Sequence, residues 1–554
     1  MEMVRKYFQG ENPLANWRGD LTGGVTAAVV ALPLALAFAI ASGVDPKAGL
    51  YTAIVAGCVA AVFGGSPVQI TGPTGAMAVI LLGIVAKYGI EKVWLAGGMA
   101  GLIQIALGVA KLGRLVKFIP YPVTAGFTNG IAIIIFCGQL NNFLGLNLPR
   151  SEHFLPGLWQ TILHLSEAHW TTIAIATLVI GTKLLWAKLR TAIPGSLVGL
   201  VLATVLVAVF HLDVPTIGSI PQALPVPQGI PHWQDFGLIR QLINPALALA
   251  ALGSIESLLS AVVADGMTVS EKHNSDRELI GQGLANMIVP FFGGIPATGA
   301  IARTAVNIRA GGKTRLSGVI HSLVLMLIVL LFAPLAARIP LAALAGILMV
   351  TSVRMLEWEA IGLLMRATYA DFAVMVLTWA VTICFDLVLA VEVGLIAAGA
   401  LFIKRMSDLS MGKVPETEVF PPGVPLELGK QIAVYRVDGP MFFGAAERFV
   451  TFLRDEPEVR YLILRMRFVP NMDATGLVAL EDIYHDLKRR GCQLLLSGLQ
   501  PEVRQLLDRS GLLDRIGREN CFDSTDAAIG SLTSQLFCPL PSPLTQEKTE
   551  KIVA

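Results

Sequence analysis

The chain has 554 residues, of which 54% are hydrophobic and 15% charged, with a mean hydropathy of +0.66 and a formal net charge of +2. Soluble domains carry about 25% charged residues, so a wholly soluble chain is excluded, and a near-neutral balance with no basic stripe speaks against nucleic acid as a partner. The six cysteines (Cys58, Cys137, Cys384, Cys492, Cys521 and Cys538) are scattered without a C-x-x-C pair, which suits small buried apolar roles in a reducing compartment and implies neither a disulfide frame nor a metal site.

Residues 1–19 are largely polar and lack the apolar core of a cleaved signal peptide, so they read as a cytoplasmic N-terminus. From 20 to 405 apolar runs follow one another, which reads as a transmembrane domain. A spanning helix needs about 20 apolar residues. The pattern predicts spans at 22–43, 49–63, 94–110, 123–144, 171–187, 194–211, 243–264, 278–292, 316–336, 340–353, 369–385 and 387–403. Two stretches, 74–86 and 299–308, are too short or too polar to cross alone; as half-helices they bring the total to about 14 segments. With a cytoplasmic N-terminus, loops expected inside hold about eighteen Lys and Arg residues against about six outside. An even count keeps the C-terminus in the cytoplasm as well.

Internal repetition carries more information. Phe63-Gly64-Gly65-Ser66-Pro67 precedes Thr74-Gly75-Ala76-Met77-Ala78, and Phe292-Gly293-Gly294-Ile295-Pro296 precedes Thr298-Gly299-Ala300-Ile301-Ala302. Each pair opens one of the short segments, at matching places in two halves of seven. An odd number per half makes the repeats inverted, and Gly/Pro-interrupted segments at matching positions point to the substrate site of a secondary transporter. A helix that starts in mid-membrane has unpaired N–H groups and a positive dipole end, tolerated where it lines a cavity and suited to an anion. The plainer alternative is ordinary Gly-rich helix contact. Gln69 and Thr71 lie just ahead of the first half-helix as candidate pocket liners, ranked below the backbone of Thr74–Ala76 and Thr298–Ala300.

Ionisable residues within membrane segments are functional candidates. Glu256 sits near the middle of its span, at the edge of a small-residue face formed by Ala250, Gly253, Ser257, Ser260 and Ala264. A carboxyl there can carry a proton; the alternative is a carboxylate tied to backbone. Arg303 cannot deprotonate and needs a counter-charge: the anion, Glu256, or each in turn. The alternative is that it snorkels to the cytoplasmic face. Asp386 and Glu392 read as loop-edge or helix-contact residues, His321 as a satisfied packing histidine, and Asn286 and Asn307 as interhelical hydrogen-bond donors.

After a linker at 406–430, residues 431–535 alternate strand and helix in a small α/β domain. Strands are expected at 432–436, 459–464 and 492–496, helices at 444–455, 476–490 and 501–511, with Asp473 as a helix cap. No nucleophile–base pair or phosphate-cradling loop is evident, so this domain reads as regulatory or assembling. Residues 536–554 read as a disordered tail.

The run from Ile255-Glu256-Ser257 to Asp265, then Glu278-Leu279-Ile280-Gly281-Gln282-Gly283-Leu284-Ala285-Asn286, then Gly293 to Asn307, resembles the sulfate permease (SulP) family of anion transporters over nearly the whole chain. Gly439-Pro440-Met441-Phe442-Phe443-Gly444 and Asp473-Ala474-Thr475-Gly476-Leu477 resemble the STAS domain. The resemblance implies a 7+7 inverted repeat divided into a mobile core and a gate, elevator-type alternating access and a homodimer in the cytoplasmic membrane. It places the substrate site near Thr74, Gly75, Ala76 and Met77 with Ala300, Ile301, Ala302 and Arg303, and an acidic residue at Glu256. Gly299 is a further candidate substrate contact, and Ser260, on the small-residue face, joins Glu256 as a candidate for ion coupling. Ala474 stands where antagonists are phosphorylated on serine, with Thr475 next to it. Family substrates span sulfate, bicarbonate, chloride and small dicarboxylates. Glu256 with Arg303 looks like proton-coupled sulfate or dicarboxylate members, whereas sodium-coupled bicarbonate members tend to carry Asp at the first position and lack the arginine.

The expectation is therefore proton symport of sulfate or a similar divalent anion, with no cofactor. Sodium-coupled bicarbonate transport, uncoupled anion exchange, nucleobase transport and a non-transporting anion sensor are the rivals. Enzymatic activity is not expected, since no catalytic constellation is evident.

Overall fold

The computed structural model describes residues 16–114, 119–146, 148, 154–189, 194–218, 222–227, 236–268, 272–385, 387–408, 411–413, 431–439, 441 and 459–537. The readings of Asp386, of a helix at 444–455, and of most of 1–19, 406–430 and 536–554 lie outside these. The chain divides into two units, 1–398 and 399–554.

The first unit is helical. Its first half holds α1 (Trp17–Ala41), α2 (Pro46–Phe63), a two-residue strand β1 (Thr71–Gly72), α3 (Gly75–Tyr88), α4 (Ile90–Val109), α5 (Tyr121–Gly138), α6 (Leu140–Leu144), α7 (Phe154–Leu163), α8 (Trp170–Trp186) and α9 (Gly195–Phe210). Its second half holds α10 (Phe236–Met267), α11 (Ser275–Ile288), β2 (Thr298–Gly299), α12 (Ile301–Arg309), α13 (Arg315–Ala336), α14 (Leu341–Met355), α15 (Trp358–Ala367), α16 (Tyr369–Cys384) and α17 (Leu387–Asp408). Among the described residues, 7 stretches are long and apolar enough to cross a membrane, and α3, α8, α9 and α16 are apolar but shorter. The span expected at 278–292 departs from this pattern. There α11 is short and polar, and it survives because α2 and α4 enclose it.

The inverted repeat is visible in the packing. α1 packs on α13, and its counterpart α10 packs on α4; α4 packs on α11, and its counterpart α13 packs on α2. These form the core group. In the gate group, α5 packs on α16 as α14 packs on α8. Gly101 and Gly283 explain the closeness of α4 and α11: a Cβ on either would stand 2.6 Å from the other's carbonyl oxygen. In lipid, where apolar burial between helices gains little, such small-residue contacts supply the association. The two halves meet in the membrane through β1 and β2, which pair antiparallel with Thr71 opposite Gly299 and Gly72 opposite Thr298.

The second unit is a five-stranded sheet in the order β3 (Met411–Lys413), β4 (Ile432–Asp438), β5 (Tyr461–Phe468), β6 (Gln493–Ser497), β7 (Cys521–Phe522), parallel except for β3. Parallel strands bury both faces. Leu462, Leu464 and Met466 of β5 accordingly pack in one cluster with Leu480 and Ile483 of α18 (Ala474–Arg489) and with Leu507 of α19 (Pro501–Arg509). Ile463 faces the other way, toward Ala528, Ile529 and Leu532 of a helix, Thr525–Phe537, that the sequence pattern did not announce. Asp473 caps α18 by accepting from Gly476 N at 2.8 Å. Part of the expected linker is an edge strand, because β3 finds its hydrogen-bond partners on β4.

Candidate functional site

The β1–β2 ladder sets the starts of α3 and α12 beside each other. Neither helix has a side-chain cap: Thr74, the residue before α3, makes no capping bond, and Ala300, before α12, has no side chain able to make one. The amides of Gly75, Ala76 and Met77, and of Ile301, Ala302 and Arg303, have no hydrogen-bond partner among the described residues. Uncapped N–H groups at the positive ends of two helix dipoles have the chemistry that suits an anion.

Thr74 fails to cap because its hydroxyl is engaged elsewhere. Its Oγ1 donates to Oε2 of Glu256 at 2.8 Å, and Thr298 Oγ1 donates to the same oxygen at 2.8 Å. Glu256 Oε1 has no hydrogen-bond partner among the described residues. The small-residue face of α10 permits this approach: Ser257 Oγ accepts from Gly299 N at 3.0 Å, and Ser260 Oγ lies 3.4 Å from Thr304 Oγ1. Thr304 in turn accepts from Ile70 N at 3.0 Å. The face that could have made room for substrate is instead where β2 and α12 close on α10. Ser260 therefore sits one layer behind the helix starts.

Arg303 is 1% exposed and neither snorkels nor lines an open surface. Its guanidinium crosses to the other half, where Nη2 donates to Pro73 O, while Nη1 is buried without a partner. It lies so close to Gly72 that a Cβ there would overlap it. Gln69 and Thr71 are framework: Gln69 Nε2 donates to Glu278 Oε1 at 2.8 Å, and Thr71 Oγ1 accepts from Gln282 Nε2 at 2.6 Å. Asn286 donates across to Gln104 at 2.9 Å and Asn307 to Val68 O at 2.9 Å, as interhelical donors do. His321 is wholly buried, but neither ring nitrogen has a partner among the described residues, so it is not the satisfied histidine the sequence suggested.

Glu278 is the residue sequence reasoning passed over as a functional group. It is 1% exposed, and it accepts from Gly65 N at 2.7 Å, Ser66 N at 3.0 Å, Gln69 Nε2 at 2.8 Å and Gln282 Nε2 at 3.0 Å. Through the two glutamines it fixes the loop that leads into β1. The one signal available was an acid at the start of a segment read as membrane-embedded.

The two helix starts differ in exposure. At the α3 start, a Cβ on Gly75 would meet Ile135 of α5, and Phe38 of α1 at 3.1 Å, whereas Ile301 at the α12 start is 41% exposed.

Residues 17–378 match the model of the Sulfate permease family, and residues 425–528 match that of the STAS domain. The chain belongs to the sulfate permease family. Among sulfate permease relatives, it is 42% identical over 533 residues to the "Putative sulfate transporter YvdB" of Bacillus subtilis, covering 94% of this chain and 99% of that one. It is 36% identical over 539 residues to the "Bicarbonate transporter BicA" of Synechocystis, covering 93% and 94%. The solved structure of SLC26A9 superposes with a TM-score of 0.83 over 97% of this chain and 94% of that chain at 17% identity, which shows a shared fold. This chain is thus a polytopic membrane protein of an anion-transporter family with a C-terminal STAS domain.

Proposed function

We propose that the chain is a secondary active transporter that carries sulfate or a similar divalent anion across the cytoplasmic membrane together with a proton. The observation that carries the reading is the pair of uncapped helix starts, joined by β1–β2 and flanked by Glu256. The amides bind the anion without a mobile cation, and Arg303 holds the two starts together by bridging α12 to Pro73. An ionised Glu256 repels an anion on those amides, so loading is favoured when Glu256 carries a proton. The proton then offsets one of the two negative charges of the divalent anion it travels with.

The half-helices, the ladder and α10 are tied by hydrogen bonds and move as one body against the gate helices α5, α8, α14 and α16. The closed α3 start and the exposed α12 start support this alternating motion, with the α12 side toward the cytoplasm. Both termini are cytoplasmic, and residues 431–535 regulate or assemble a homodimer. Sodium-coupled bicarbonate transport is the second reading, favoured by the 36% identity to a protein named as a bicarbonate transporter.

Uptake of labelled sulfate, bicarbonate and succinate into proteoliposomes, with a proton or sodium gradient imposed in turn, separates the readings. Sulfate uptake driven by inward protons is expected. Uptake that requires sodium and carries only bicarbonate would give the second reading the lead.

A further inference from the structure

Beyond the Gly75 end lies a cavity of about 190 Å3, away from the exposed start of α12. One wall is apolar and belongs to the core, with Ala78, Val79 and Leu82 of α3. The facing wall belongs to the gate and sets Gln139, Asn141, Asn142 and Gln160, from the α5–α6 break and α7, among apolar residues such as Ile134 and Phe154. Among the described residues, no Asp, Glu, Lys or Arg lines it.

Two features of this wall call for a hydrogen-bonding occupant. Gln139 is 5% exposed, and its Nε2 has no hydrogen-bond partner among the described residues, while its Oε1 accepts from Asn142 Nδ2 at 3.5 Å. Asn141 Oδ1, an acceptor, is buried and without a partner among the described residues, so a donor such as water, and not the anion itself, completes it. Buried amides are rarely left this way, so something with hydrogen-bonding atoms completes them. An N–H donor without a fixed charge suits a partly dehydrated anion that must be held and then released. Ile135 belongs to both places: it lines this cavity, and its Cδ1 closes over Gly75.

We propose that this cavity is an antechamber that receives the transported anion on its amide wall, on the membrane side opposite the termini, and that Ile135 with Phe38 is the seal between it and the half-helix ends. The inference rests on the anion-transport reading. An anion held here stands one to two turns along α3 from the amides of Gly75–Met77. Sliding the core wall past the gate wall carries Gly75 out from under Ile135 and opens the way.

Cys137 lines the cavity and serves as a native probe. The full-length chain, with Cys137 as its single cysteine and with uptake checked in the same vesicles, is reacted with a charged, membrane-impermeant methanethiosulfonate. Modification is expected from the side opposite the termini, slowed several-fold by millimolar sulfate. Gln139→Leu should keep the modification and lose the slowing. Modification that sulfate leaves unchanged, in vesicles that take up sulfate, overturns the antechamber while leaving the transport reading intact. In an Ala76→Cys background, Ile135→Ala should extend reaction from the terminus side alone to both sides; reaction from one side only in the double variant overturns the seal.

Discussion

Thr74 and Thr298, from opposite halves of the chain, donate their hydroxyls to one oxygen of Glu256, each at 2.8 Å, and stand 3.1 Å apart. The same contact that fixes Glu256 strips α3 of its cap, so carboxylate placement and anion-site exposure are one arrangement.

Thr298→Val removes one of the two donors. A hydrogen bond to a charged group contributes about 1.5–3 kcal/mol, so initial uptake should fall on the order of ten- to a hundredfold. Thr298→Ser keeps the hydroxyl and should stay near wild type. Equal loss in both variants would show that the hydroxyl is not what matters.

Glu278→Gln places an NH2 against either the amides of Gly65 and Ser66 or those of Gln69 and Gln282, all of them donors. Leaving such donors unsatisfied should cost about 3 kcal/mol, read as a lower melting temperature in detergent by scanning fluorimetry. An unchanged melting temperature would contradict the framework role.

Much of this was legible in the sequence because it depends on local pattern. The paired Gly-Gly-x-Pro and Thr-Gly-Ala motifs announced two helix starts, and the lone acid in an apolar run announced Glu256. Tertiary direction was not legible. Arg303 read equally well toward anion, acid or cytoplasm, and its turn toward Pro73 depends on a partner in the other half. Glu278 stood at the edge of a stretch read as a membrane span, and its role as an acceptor for the loop before β1 depends on partners more than two hundred residues away. Strand β3 and the last helix of the STAS domain escaped for the same reason: their partners, β4 and Ile463, are distant in sequence.

Gly72→Ala drives a methyl into the Arg303 guanidinium. Overpacking of this kind costs about 1–3 kcal/mol, and the displaced arginine should loosen the α12–Pro73 bridge. Lower thermal stability together with weaker anion binding is expected; wild-type binding would separate Arg303 from the site.

Cys492 lies in the STAS domain, where burial first of all pushes its thiol up to about 11. A raised thiol pKa leaves about one part in a thousand as thiolate at pH 8. Mass spectrometry after brief treatment with iodoacetamide at pH 8 should find Cys492 unmodified in the folded chain and modified after denaturation. Rapid modification in the folded chain would contradict its buried placement.

The most direct test of proton coupling through Glu256 is transport by Glu256→Gln in proteoliposomes, with net uptake and exchange measured side by side. Glutamine mimics the protonated carboxyl, so labelled sulfate should still exchange against internal sulfate while an inward proton gradient no longer drives accumulation. Accumulation that still follows the proton gradient in Glu256→Gln would contradict the account.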